Sequence, residues 1–125
     1  MLKDKSSSAI IAVSDLDRAR RFYRDTLGLP STDDNDEMSV FKTGNTDLIV
    51  YKSEEAGSNK ANAVVWGVGD EIDAITDDLK SKQVKFLHYP DMDGVTLDGD
   101  THRAGDMKLV WFEDPDGNIL HINNM

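Results

Sequence analysis

Cysteine is absent from the 125-residue sequence. The absence excludes thiolate metal sites, cysteine nucleophiles and redox pairs. A chain of this size can bury roughly two-thirds of its unfolded surface, so it needs no disulfide to fold. The length predicts a single domain spanning residues 1–125.

Long apolar segments are also lacking. No apolar run approaches the ~18 residues that a membrane helix needs. The N-terminus, Met1 to Ser8, contains no apolar stretch of the kind found in a signal peptide. We therefore expect a cytoplasmic protein that does not enter a membrane.

Basic residues are few, with 14 lysines and arginines against 24 acidic residues and a net charge of −10. This balance disfavours nucleic acid and anionic membranes as partners, because both require a basic face. It is compatible with a cationic ligand, although solubility alone is the simpler explanation.

A hairpin is predicted near the C-terminus, where the apolar runs Leu109–Phe112 and Ile119–Ile122 flank a polar turn. Pro115 presets φ for the second position of a type I turn, and the Asp114 carboxylate can accept hydrogen bonds from the turn backbone. Gly117 can take the positive φ that closes a three-residue hairpin with a bulge.

One histidine stands among apolar neighbours on the second strand of this hairpin. Strand alternation places His121 on the same face as Ile119, and Leu120 and Ile122 on the other. In one interpretation His121 is only hydrogen-bonded in place. In the other it is a general base or a group that orients a ligand, work suited to an imidazole.

The first half of the chain predicts one strand, one helix and further strands. Residues Ser8–Val13 form an apolar, β-branched strand, and Ser14 or Asp15 caps the following helix. Gly28 is placed to end that helix. Residues Ser31–Glu37 are polar and are expected to form a loop before two more strands, 38–42 and 47–52.

The second half repeats this order, with helix caps about 55 residues apart. Strands are predicted at 63–68 and 84–88, and Asp70 or Glu71 caps the helix between them. A long acidic loop, 90–106, precedes the hairpin. We therefore expect module one at about 6–53, a linker at about 53–62 and module two at about 63–125.

Two motifs carry a family resemblance: V-x-D-L-x-x-A-x-x-F-Y from Val13 to Tyr23, and D-P-D-G-N from Asp114 to Asn118. Together they resemble the vicinal oxygen chelate superfamily, which holds glyoxalase I, bleomycin-resistance proteins, extradiol dioxygenases and fosfomycin-resistance enzymes. The resemblance implies an α+β fold in which two βαβββ modules form a curved mixed sheet around a cleft, with the helices outside. It also implies a homodimer.

The resemblance further implies four positions for metal ligands, which fall here on Ser8, Leu48 (within about one residue), Ala63 and His121. Three of the four lack a usual ligand, and a stable divalent site wants at least three. We therefore expect no cofactor. A nonstandard metal site would need His102 from the acidic loop beside His121, but a solvated surface histidine is the simpler interpretation of His102.

Aromatic side chains are the remaining candidates for ligand contacts. Core packing is the default for each, yet family members that bind drugs without a metal stack planar groups on cleft aromatics. Trp111 and Phe112 must face opposite sides of their strand. We expect one or two of Tyr51, Trp66, Phe86 and Trp111 to line the cleft. The candidate ligand-binding residues are Ser8, Tyr51, Trp66, Trp111 and His121.

Three hypotheses follow. The first is a metal-free protein that binds an apolar or planar, in one version cationic, small molecule. The second is a lyase, isomerase or dioxygenase that uses a nonstandard metal site or His121 as an acid–base group. The third, ranked last, is a domain that serves only in a partner interface.

Overall fold

The computed structural model describes residues Met1–Met125 and divides into two compact units, Met1–Ser58 and Asn59–Met125. Each unit contains one helix-bearing crossover and one mixed sheet. No helix in either unit is long and apolar enough to cross a membrane. The fold class is α+β, as the sequence predicts.

The first unit contains four strands: β1 (Ala9–Val13), β2 (Ser31–Asp34), β3 (Met38–Thr43) and β4 (Thr46–Lys52). The sheet order is β1-β4-β3-β2. Strand β1 is parallel to β4, and the other pairs are antiparallel. Helix α1 (Leu16–Arg20) follows β1 and continues as a π-helical segment, Arg21–Thr26.

Local chemistry explains the bounds of this helix. The Asp15 carboxylate accepts the Arg18 backbone N–H at 3.0 Å and caps the first turn. Gly28 adopts φ of 75°, the left-handed conformation that ends the helical stretch. Both features confirm the sequence prediction.

The two faces of the first sheet differ in burial. Alternate side chains such as Ile11, Val50 and Phe41 are buried. The opposite face is apolar but partly open, because Ile10 is 61% exposed and Tyr51 is 37% exposed.

The loop predicted for Ser31–Glu37 is wrong over its first four residues, which form β2. This strand lies at the edge of the sheet and pairs with β3 alone. Its side chains are polar and mostly exposed, so they do not alternate between apolar and polar as in a half-buried strand. The strand is held by backbone pairing with β3 rather than by side-chain burial.

The second unit contains helix α2 (Ile72–Ser81) and six strands. The strands are β5 (Asn62–Gly67), β6 (Lys85–Leu87), β7 (Thr96–Asp98), β8 (Thr101–Ala104), β9 (Met107–Glu113) and β10 (Ile119–Asn123). The order is β5-β10-β9-β8-β7, and β6 also pairs with β9. Strand β10 is parallel to β5 and antiparallel to β9.

The hairpin of β9 and β10 has the predicted turn. The Asp114 C=O accepts the Gly117 N–H at 3.0 Å, and the Asp114 N–H donates to the Asn118 C=O at 3.0 Å. Gly117 has φ of 86°. The Asp114 carboxylate also accepts the backbone N–H of Asp116 and of Asn118. The turn sequence therefore fixes the register of His121 against β9.

For this unit the predicted cap of α2 is confirmed in position but lacks a side-chain bond, and the predicted loop 90–106 is wrong. A short 3-10 turn, Gly69–Glu71, leads into α2, and Glu71 stands at the N-cap without a side-chain bond to the helix. The region 90–106 is not one long loop, because β7 and β8 form a hairpin within it. Gly99, with φ of 62°, lies in the turn of that hairpin.

Candidate functional site

The side chains of Trp111 and His121 lie together on one face of the second sheet. They are directly opposed in the register of β9 and β10. Their rings are stacked, with centroids 4.5 Å apart and an interplanar angle of 19°. Both are largely buried, at 8% and 7% exposure. We call the side of the sheet that carries them the His121 face.

Hydrogen bonds fix the orientation of the His121 ring. Its Nδ1 lies 3.0 Å from the Val110 carbonyl oxygen. Because a carbonyl can only accept, Nδ1 carries the proton and Nε2 keeps a lone pair. The Asn123 side-chain nitrogen approaches Nε2 at 3.4 Å, while the Asn123 oxygen accepts the Met125 N–H at 3.1 Å. The lone pair of Nε2 therefore has only one long contact.

Burial lowers the pKa of His121 below its usual 6.5, although the bond to Val110 opposes the shift and the nearby His102 adds to it. The imidazole is therefore neutral at pH 7. In this form it can accept a proton or a hydrogen bond at Nε2.

His102 lies on the same face, which corrects its prediction as a surface histidine. It is fully buried on β8 and pairs with Leu109 of β9. Its Nε2 accepts the Tyr89 backbone N–H at 2.8 Å, and its Nδ1 donates to the Leu109 carbonyl at 3.2 Å. Its ring stands edge-on to Trp111, with centroids 4.8 Å apart.

Tyr89 completes an aromatic cluster around Trp111. Its ring is edge-on to the indole, with centroids 5.2 Å apart and planes at 86°. The Trp111 indole N–H and the Tyr89 hydroxyl make no hydrogen bond within the protein, and neither polar atom is sealed from solvent. The cluster of Tyr89, His102, Trp111 and His121 thus combines apolar ring surface with polar atoms that a ligand can engage.

The structure does not bring Trp66 or Phe86 to this cluster. Trp66 is paired with Ile122, so both lie on the opposite face of the sheet. Phe86 packs there as well, with its ring 6.5 Å from that of Phe112. Val65, paired with His121, is a β5 side chain on the His121 face, and it is 58% exposed.

Ser8 and Tyr51 belong to the first unit. Ser8 is exposed and immediately precedes β1. Tyr51 lies on β4, opposite Ala12 and Met38, on the partly open face. Their part in ligand binding stays a prediction.

The strand registers locate the position in the first unit that corresponds to His121. In the second unit Val65 is paired with His121. The repeat of about 55 residues makes Ile10 the counterpart of Val65, and Ile10 is paired with Ile49. The counterpart is therefore Ile49 rather than Leu48, which is buried on the other face at 1% exposure.

The residues at the four family positions do not fit a divalent ion. They are Ser8, Ile49, Ala63 and His121, which together offer one ring nitrogen and one neutral hydroxyl, whereas such an ion wants at least three protein ligands. No group of three or more histidine, aspartate or glutamate side chains in the chain is placed to hold a metal.

Sequence reasoning missed two members of the site. Asn123 is predictable from the sequence, because it lies two residues after His121 and strand alternation puts both on one face. Tyr89 carried no such signal, since it lies between β6 and β7 and reaches the cluster only through tertiary contacts.

The two units, each with one mixed sheet and one helical crossover, define an α+β protein of the βαβββ class. The sequence model of the Glyoxalase/Bleomycin resistance protein/Dioxygenase superfamily matches residues 6–122, and the chain belongs to that superfamily. No curated protein sequence matches it.

Solved structures share the fold at low sequence identity. Lactoylglutathione lyase from Agrobacterium tumefaciens is 19% identical, with a TM-score of 0.70 over 95% of this chain and 92% of that one. The fosfomycin resistance protein FosX from Mesorhizobium loti is 12% identical, with a TM-score of 0.71 over 100% and 94%. A glyoxalase/bleomycin resistance protein/dioxygenase from Alicyclobacillus acidocaldarius is 18% identical, with a TM-score of 0.71 over 96% and 90%.

Proposed function

We propose that this protein is a small-molecule-binding member of the superfamily with a degenerate metal site. It holds an apolar or planar ligand against the His121 face without a divalent ion. The observation that carries the proposal is the stacked Trp111–His121 pair, with a free indole N–H and a weakly engaged Nε2.

The ring cluster favours a planar ligand. Aromatic surfaces pack best against other flat surfaces, and each offset or edge-on pair adds roughly 0.5–1.5 kcal/mol beyond area burial. The exposed Val65 beside His121 adds an apolar contact. The indole N–H suits a ligand acceptor, and His121 Nε2 suits a ligand donor.

The charge of the ligand is a separate part of the proposal. A net charge of −10 attracts cations over long range and repels anions. No acidic side chain is among the ring contacts of Trp111. We therefore expect a neutral planar ligand to bind, a cationic one to bind at least as well, and an anionic one to bind more weakly.

Quinoline tests this proposal, because it is planar and carries one ring acceptor. The chain has two tryptophans, so the indole N–H region of a ¹H–¹⁵N NMR spectrum contains two resonances, which Trp66→Phe and Trp111→Phe assign. We expect quinoline and N-methylquinolinium to shift the Trp111 resonance saturably and leave that of Trp66 in place. Quinoline-2-carboxylate should bind more weakly. No saturable shift with any of the three would contradict the proposal.

An enzyme is the second candidate, a lyase, isomerase or dioxygenase that uses His121 as an acid–base group or a nonstandard metal site. The lone pair of Nε2, which has only the long 3.4 Å contact with Asn123, favours the acid–base version. The structural relatives suggest two compounds to try, S-lactoylglutathione and fosfomycin. Turnover detected by NMR, and lost in His121→Asn with the fold retained, would support an enzyme over a binding protein.

The homodimer also stays a proposal. The exposed apolar side chains of Ile10 and Val65 are consistent with further burial in an assembly. Light scattering during gel filtration tests it, because a dimer has twice the 13.9 kDa mass of the chain.

A further inference from the structure

His102 is a buried side chain that the proposed function does not use directly. It has no exposed surface, and both ring nitrogens are engaged. Nδ1 donates to the Leu109 carbonyl and Nε2 accepts the Tyr89 N–H. An apolar residue could fill the same space but could perform neither task, so the polar ring needs an explanation beyond packing.

The bond from Tyr89 ties an irregular segment to the sheet. Residues 88–95 lie between β6 and β7 and form only local backbone bonds, such as Met92 N–H to Tyr89 C=O at 3.3 Å. Two hydrogen bonds that involve side chains link the segment to the β7–β8 hairpin: Tyr89 N–H to His102, and His88 to Asp100 at 2.8 Å. The His88–Asp100 contact is partly exposed, and water weakens such a contact relative to the buried bond from Tyr89 to His102. The bond to His102 is therefore the main tether.

The two residues of the tether, Tyr89 and His102, both contact Trp111. The Tyr89 ring and the His102 ring both stand edge-on to the indole, at 5.2 Å and 4.8 Å. The indole face is then presented flat to His121, 4.5 Å away. Release of Tyr89 would remove one of the two edge contacts that keep Trp111 in this orientation.

We infer that His102 is a positioning residue: by accepting the Tyr89 N–H at Nε2, it holds the segment after β6 against Trp111 and so sets the Trp111–His121 stack. The effect on ligand binding rests on the proposed function. The tether itself does not, and it can be tested without a ligand.

Two substitutions separate the two ring nitrogens of His102. In His102→Gln the side-chain oxygen can reach the place of Nε2 and keep the acceptor for Tyr89. In His102→Asn the side-chain nitrogen can replace Nδ1 as donor to Leu109, but the acceptor for Tyr89 is lost. A role in packing alone predicts faster exchange at all the amides around the shortened side chain, in proportion to the volume lost, rather than a change confined to the Tyr89 N–H.

Amide hydrogen exchange at Tyr89 is the direct measurement. We expect exchange about tenfold faster in His102→Asn, since one net hydrogen bond is lost, and near wild type in His102→Gln. The Asp114 amide, in the distant hairpin turn, is the control and should not change. Unchanged Tyr89 exchange in His102→Asn, or equal change in both variants, would overturn the inference.

The wild-type protein offers a second test that does not depend on the variants folding. Long-range ¹H–¹⁵N correlation should show His102 as the neutral tautomer with the proton on Nδ1. A proton on Nε2 would overturn the inference, because that nitrogen could not accept from Tyr89.

Ligand binding separates this inference from the proposed function. We expect His102→Asn to shift the Trp111 indole resonance and to weaken quinoline binding, with His102→Gln closer to wild type in both. If quinoline fails to bind the wild-type protein, the proposed function fails. The positioning role is then still decided by Tyr89 exchange and by the Trp111 resonance in the free protein.

Discussion

The imidazole of His121 lies flat on the indole of Trp111, directly opposite it in the register of two antiparallel strands. The bond to the Val110 carbonyl places the ring proton on Nδ1, and Nε2 is left with a single long contact, at 3.4 Å, to the Asn123 side-chain nitrogen.

Replacement of Trp111 by leucine should weaken quinoline binding about tenfold, which is about 1.4 kcal/mol, because the ring surface of the proposed site is lost. Trp111→Phe keeps a ring and should lose less. Titration followed by the His121 ring resonances measures both. Trp66→Phe, on the opposite face of the same sheet, is the matched control and should bind as the wild type does.

His121→Asn separates ligand orientation from packing. The asparagine nitrogen can still donate to Val110, so the free energy of unfolding should fall by only about 1 kcal/mol. The acceptor at Nε2 disappears together with the ring, so a planar ligand with a donor, such as 5-hydroxyquinoline, should lose severalfold more affinity than quinoline, which loses only the ring surface. Equal loss for both compounds, with a large loss of stability, would assign His121 to packing instead.

Protein stability should fall as the pH is lowered below neutrality. Burial lowers the pKa of His102 and of His121 in the folded state. Below pH ~6.5 the unfolded chain therefore binds protons that the folded chain does not, and this favours unfolding. The loss continues until the pH reaches the lowered folded pKa values. Other ionisable groups near His102 are Tyr89 and the His88–Asp100–Lys80 set.

Urea midpoints at pH 7.5 and pH 5.5 measure this dependence. His121→Asn should show a smaller difference between the two pH values than the wild type. The same difference in the variant and the wild type would show that His121 does not contribute.

Ser39 links the helix of the first unit to its edge strand. Its hydroxyl accepts Arg20 Nε–H at 2.6 Å and donates to the Asp34 carboxylate. Ser39→Ala would remove both bonds, but Arg20 Nε and the Asp34 carboxylate already lie 3.4 Å apart and Asp34 is partly exposed, so we expect the free energy of unfolding to fall by about 1 kcal/mol.

Urea unfolding measures the effect of Ser39→Ala. The control is Arg24→Ala, which removes a solvent-exposed ion pair with Asp25 and should change the stability by less than about 0.5 kcal/mol. The Ser39 hydrogen bond is also the main cause that lowers the pKa of Asp34. That pKa, measured by NMR, should rise in Ser39→Ala; no change would contradict the account.

The predictions from sequence succeeded where the physical cause is local. The turn at residues 114–118 could be predicted, because the residues that form it lie within five consecutive positions. Asp114 supplies the hydrogen bonds and Gly117 the positive φ that such a turn requires. The same holds for the Asp15 cap and for the opposite orientations of Trp111 and Phe112, which follow from strand alternation.

The predictions failed where a distant part of the chain supplies the cause. Strand β2 is polar because it is an edge strand whose order comes from pairing with β3. His102 sits in an acidic stretch that looks solvated, yet it is buried because Tyr89 and Leu109 satisfy both of its nitrogens. The two-residue turn of this hairpin, Gly99–Asp100, is a local signal that the prediction of an acidic loop did not use.

The most direct test of the central claim is the quinoline titration of the two indole resonances. It is performed once in excess EDTA and once without EDTA, with one equivalent of zinc added. Metal-free binding at the His121 face predicts the same saturable shift of the Trp111 resonance under both conditions. A shift that is absent in EDTA and appears only with one equivalent of metal would contradict the account.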